Sequence, residues 1–146
     1  MIAMFTSSLA AFLAGSFIYI SFRSTTLRMF RWFDMFGISR LIEGIRHFTL
    51  AFIGNLPDWL VFSLPNGLWL FSYITLILYI WGNHISNKNI FWVALLPLIA
   101  LFSEFGQLVN LIPGTYDAID VVLYIVGLIM PILFFKSSIK FTRILA

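Results

Sequence analysis

Glu104 and Gln107 stand one helical turn apart inside an apolar run, Ile90 to Ile112, and Asp117 and Asp120 repeat that spacing just beyond it. Three of the chain's six acidic residues therefore lie between positions 104 and 120. A carboxylate inside hydrocarbon costs roughly 2.5 kcal/mol or more unless it is protonated, paired or hydrated. Three carboxylates brought together can hold a hard cation, share protons or neutralise arginines. Ser103 and Gln107 can hydrogen-bond Glu104, and Asn110 extends the polar stripe toward the helix end. Without a function, Glu104 would be a neutral, hydrogen-bonded fastener between helices; with one, it is the deepest member of a site.

Asp117 precedes the next apolar stretch, where an acid caps free amides and complements the helix dipole, so a plain N-cap accounts for it equally well. Asp120 lies about a turn further in. With Tyr124 at i+4 and Gly127 one turn on, it puts an acid, a phenol and a close-packing glycine on nearly one face. Across the Pro113-Gly114 turn that face can meet Glu104 and Gln107. Arg46 is a further candidate, able to pair with the acids or to bind a lipid phosphate, and His47 adjoins it. Its bland reading is the solvated polar face of an interfacial helix. There is no HExxH, no pair of histidines, no nucleophilic serine with a base and no Gly-rich phosphate loop, which disfavours zinc hydrolysis, acyl transfer and nucleotide use. No metal and no cofactor is expected.

The elements that must position these groups belong to a membrane. Of 146 residues, 61% are hydrophobic and 10% charged, far from the balance of a soluble domain. The spacing predicts an all-α polytopic membrane protein, one domain over residues 1–146, with four transmembrane helices at about 2–22, 59–82, 90–112 and 119–135. Ala10, Ala14 and Gly15 in the first are small enough for close helix contact. Residues 24–57 interleave Arg40, Glu43, Arg46 and His47 with Leu41, Ile42, Ile45, Phe48 and Phe52, which predicts an amphipathic helical segment lying in the interface. Pro65-Asn66-Gly67 interrupts the second span and predicts a kink or re-entrant turn. Discontinuous helices border binding cavities, which adds Asn66 to the candidate ligand-binding set. Residues 82–89 read as a short polar loop.

Four crossings put both termini on one side. Lys88, Lys136, Lys140 and Arg143 then share that side, while Arg23, Arg28, Arg31, Arg40 and Arg46 lie opposite. Basic residues alone do not orient the chain, but all lysines fall on the terminal side and the acids on or near the other, which favours cytoplasmic termini. The nine basic residues form no tract, so no nucleic-acid partner is expected. Seventeen Phe exceed what four helices need for mutual packing and point to a homo-oligomer or a larger membrane-protein partner, besides membrane lipids.

The string Ser103-Glu104-x-x-Gln107, Pro113-Gly114-Thr115-x-Asp117-x-x-Asp120, Tyr124-x-x-Gly127 resembles the signature of the VanZ-like membrane family. In that family a Glu and a Gln on one helix precede a Pro-Gly-Arg turn, an Asp pair, an Asn and a glycine. Thr115 here stands at the usual Arg and Tyr124 at the usual Asn. The likeness covers about a quarter of the chain. Founding members are linked to glycopeptide (teicoplanin) resistance, so the resemblance implies a role at the cell envelope without specifying a reaction. The expectation is a non-catalytic envelope protein whose outer-facing polar cluster, Glu104, Gln107, Asp117, Asp120, Tyr124, Arg46 and Asn66, binds a lipid headgroup or lipid-linked precursor. Two alternatives use the same residues: a small structural subunit of a membrane complex, and a carboxylate-dependent enzyme acting on a membrane lipid.

Overall fold

The structure is a computed structural model and describes residues 2–142. Its architecture is all-α. In chain order the α-helices are α1 (Ile2–Phe22), α2 (Arg28–Met35), α3 (Ser39–Thr49), α4 (Asp58–Phe62), α5 (Leu64–Ile80), α6 (Ile90–Leu108) and α7 (Ala118–Phe134). A 3₁₀ turn (Leu50–Asn55) follows α3. Two short strands, β1 (His84–Ser86) and β2 (Lys140–Thr142), complete the described chain. The segment expected over 24–57 is thus two amphipathic helices and the 3₁₀ turn, and the expected polar loop at 82–89 contains a strand. Arg143 lies outside the described residues.

Local chemistry explains the boundaries. The helix breaks at Ser63, and Pro65 stands in the first turn of α5, where its missing N–H is not needed. The expected disturbance at Pro65-Asn66-Gly67 is therefore a fresh helix start and not a kink. The helix α6 stops at Leu108, four residues short of the apolar run, because Asn110 takes a left-handed conformation at φ 58°. The amide of Asn110 then donates to Gln107 O at 3.1 Å and that of Leu111 to Gly106 O at 2.8 Å, the Schellman arrangement that ends a helix. Asn110 is the stop of the polar stripe and not its extension. Gly82 closes α5 in the same way at φ 61°.

The central helix is α5, packed against α1, α4, α6 and α7. It runs antiparallel to α1, where Ser8 Oγ donates to Ser72 O at 2.8 Å and Ser72 Oγ to Ser8 O at 2.8 Å. Gly15 lets Trp69 approach, since a Cβ there would meet the indole nitrogen at 3.0 Å. Ala11 accompanies Gly15 on the inward face, whereas Ala10 and Ala14 point outward. The helix α7 runs parallel to α5, and their backbones touch at Gly67 and Gly127: a Cβ on Gly67 would stand 2.9 Å from Leu123 O, and one on Gly127 would overlap Gly67 O. Small residues allow such contact because no side chain keeps the backbones apart.

At one end Met4, Ile74, Leu78, Val93 and Ile139 form the apolar core. There β1 and β2 pair in parallel, in the register His84↔Lys140, Ile85↔Phe141 and Ser86↔Thr142. The start of α1, the α5–α6 connection and the end of α7 therefore share this end. The α6–α7 turn and residues 23–63 make up the other. Two helices, α1 and α6, are long and apolar enough to cross a membrane, while α5 and α7 are apolar but have 17 residues each. Phe12 and Phe17 of α1, Phe102 and Phe105 of α6 and Val122 and Leu133 of α7 all face outward.

Candidate functional site

The end opposite the core holds Glu104, Gln107, Asp117 and Asp120. Because α6 ends at Leu108, Glu104 lies one turn, about 6 Å, from the helix terminus. This is shallower than the 12 Å or so that an apolar run to Ile112 implies. Its side chain is nevertheless buried, at 5% exposure. Glu104 Oε2 accepts a hydrogen bond from the backbone amide of Asp117 at 3.3 Å, across the turn joining α6 to α7. Neither Ser103 nor Gln107 hydrogen-bonds it among the described residues. Gln107 packs beneath Gly114, whose φ of 142° suits only glycine and whose added Cβ would meet the Gln107 amide nitrogen at 2.8 Å.

Asp117 does cap α7: its Oδ1 accepts from Ile119 N at 2.8 Å. One turn on, Asp120 Oδ1 accepts from Asn66 Nδ2 at 3.4 Å, in the same α5–α7 contact that brings Gly67 onto α7. Tyr124 follows on that face. These groups surround a polar cavity of about 510 Å³ together with Arg23, Phe62, Ser103, Gln107, Thr115 and Tyr116. That volume falls within the range of small-molecule sites, about 300–1,000 Å³. Among the described residues, the cavity walls carry three carboxylates and one guanidinium. The acids do not converge on a metal-binding set among the described residues.

No protein-family model, curated protein or solved structure matches this chain. Six of the seven expected residues, Asn66, Glu104, Gln107, Asp117, Asp120 and Tyr124, line one cavity. Arg46 does not. Its Nη1 donates to Ile20 O at 2.6 Å and its guanidinium stacks 5.1 Å from the Phe30 ring centroid. The carbonyl lies in the last turn of α1, where it lacks a helical donor and where the dipole favours a cation. Arg46 thus shares the inward face of α3 with Ile42 and Thr49, and Leu41, Phe48 and Phe52 face out.

The arginine that reaches the cavity is Arg23, directly after α1. Its guanidinium lies 5.2 Å from the Tyr19 ring and 5.1 Å from the Phe62 ring. It makes a single hydrogen bond among the described residues, from Nη2 to Phe62 O at 3.3 Å, and its Nε is buried without a partner. Its sequence carries one usable signal: it is the first charge after the first apolar run, at the bundle end to which four crossings assign Glu104.

Proposed function

We propose that this chain is a VanZ-like protein of the bacterial inner membrane that binds the headgroup of a membrane lipid or lipid-linked precursor, without catalysis. One observation carries the reading: a buried carboxylate, a cap aspartate, a second aspartate and an under-bonded arginine meet around one cavity at the end of an apolar helix bundle. Arginine pairs readily with phosphate oxygens, and carboxylates with an ammonium or with sugar hydroxyls. Thr115, at the usual arginine of the family signature, lines the cavity together with Arg23, so a guanidinium is present there from the residue that follows α1.

Four crossings fit the dimensions. The helices α1 and α6 each suffice for a crossing of about 30 Å. The helix α4 leads into α5 through Ser63, and together they cover 58–80. The 17 residues of α7 rise about 26 Å, a mismatch that local thinning of the bilayer accommodates. The outward rings of α1, α6 and α7 suit lipid contact, and the amphipathic α2 and α3 suit the interface. With the lysines at the core end, cytoplasmic termini put the cavity at the outer leaflet.

The test is mass spectrometry of the protein purified in mild detergent from bacterial membranes. Wild type should carry a lipid that Glu104→Gln and Asp120→Asn lose, with membrane insertion unchanged. Equal lipid occupancy in all three would refute the reading. The same outward rings, Phe91, Phe102 and Phe105 on α6, also fit a second reading, a subunit packed in a larger membrane assembly. Size analysis of the solubilised chain at low concentration separates the two, since a stable lone monomer argues against a subunit.

A further inference from the structure

A second cavity, about 520 Å³, lies between residues of α6 and α7. Leu98, Leu101, Phe105 and Leu108 of α6, Tyr116 of the α6–α7 turn and Val121 of α7 line it. Tyr116 also borders the polar cavity, so the two spaces share one wall. From Leu98 to Leu108 the groove extends about 15 Å along the helix axis. Apart from the Tyr116 phenol its walls are hydrocarbon, whereas its neighbour carries Arg23, Glu104, Asp117 and Asp120. We propose that the two cavities form one site for a single amphiphile, with an amine-and-phosphate headgroup in the polar part and one hydrocarbon chain in the α6–α7 groove. The inference rests on the headgroup-binding reading and adds to it the membrane-anchored form of the ligand and the path of its chain.

The charges select the headgroup. Carboxylates at Asp120 and Glu104 suit an ammonium, while the guanidinium of Arg23, with its one long hydrogen bond, has donors to offer a phosphate. The groove selects the anchored form by a different means. A bilayer solvates a hydrocarbon chain as well as leucine does, so the groove adds little hydrophobic drive. Its contribution is to hold the chain beside Tyr116, which turns headgroup capture into a local event at raised effective concentration.

Isothermal titration of the full chain in phosphatidylglycerol nanodiscs, with empty nanodiscs as reference, tests both parts. The probes are lysophosphatidylethanolamine and its chain-free counterpart, glycerophosphoethanolamine. Wild type should bind the lysolipid at least tenfold more tightly. Val121→Trp, which fills the groove, should remove that preference and leave glycerophosphoethanolamine binding unchanged; Leu101→Trp fills the groove from α6 and serves if the first variant misfolds. Glu104→Gln should weaken both probes. No preference in wild type, or a preference that survives both tryptophan variants, overturns the inference while the headgroup reading stands. Failure of wild type to bind either probe, or binding indifferent to Glu104→Gln, overturns both.

Discussion

The carbonyl oxygen of Gly67 and the α-carbon of Gly127 lie so close that no side chain fits between α5 and α7 at that point. Asn66 and Asp120 meet in the same contact, so the packing of the two helices sets one wall of the cavity. Gly127→Ala should cost about 1–3 kcal/mol as a small-to-large change in a close contact. Gly44, within α3, has no atom near the position of an added Cβ. Gly44→Ala should stabilise by about 0.5–1 kcal/mol through helix propensity alone. Thermal unfolding of both variants in detergent measures the contrast, and equal effects would contradict the assigned packing.

The two arginines should separate cleanly. Arg23→Ala should weaken headgroup binding at least tenfold, because it removes the only guanidinium among the described residues that line the cavity. Arg46→Ala should leave binding unchanged and cost about 1–2 kcal/mol, from the lost bond to Ile20 O and the lost stacking on Phe30. Titration and thermal unfolding of the same two preparations give the answer.

Asp117 serves α7 through one oxygen, and an amide oxygen can replace it. Asp117→Asn should keep the stability of wild type, whereas Asp117→Ala should lose about 1 kcal/mol with the cap. Equal melting temperatures for all three chains would show that the capping bond contributes nothing.

Asn110 should accept glycine and reject a β-branched residue. At φ 58° the left-handed conformation costs an ordinary L-residue about 1–2 kcal/mol. Asn110→Gly should therefore unfold at or slightly above the wild-type temperature, and Asn110→Val well below it.

The sequence made the all-α class and most of the cavity legible for a simple reason. Apolar runs mark helices of this length, and polar residues inside or beside them, such as Glu104 and Asp120, are conspicuous against that background. Helix ends were less visible. Leu111 and Ile112 continue the apolar run that contains Glu104, and only the left-handed Asn110 ends the helix before them. Partner choice was hidden as well. Periodicity puts Arg46 on a polar face of α3, but which face turns inward depends on the unsatisfied carbonyls of α1, a tertiary fact. Arg23 looked like a boundary residue because its partners, the Phe62 carbonyl and ring, are distant in the chain. The β1–β2 pair joins two three-residue segments more than fifty positions apart, too short for any pattern to announce.

That pair makes the bundle mechanically lopsided. Main-chain bonds tie the α5–α6 connection to the strand after α7, and Asn89 braces the same corner through His84 O at 2.6 Å and Ser86 N at 2.8 Å. Like the riveted end of a pair of tongs, this end resists separation of the helices. No such strand pairing ties the far tips among the described residues, where the α5–α7 contact and the α6–α7 turn border the cavity. On the proposed reading, a bulky headgroup would enter at the end of the bundle that lacks these ties, away from the apolar core.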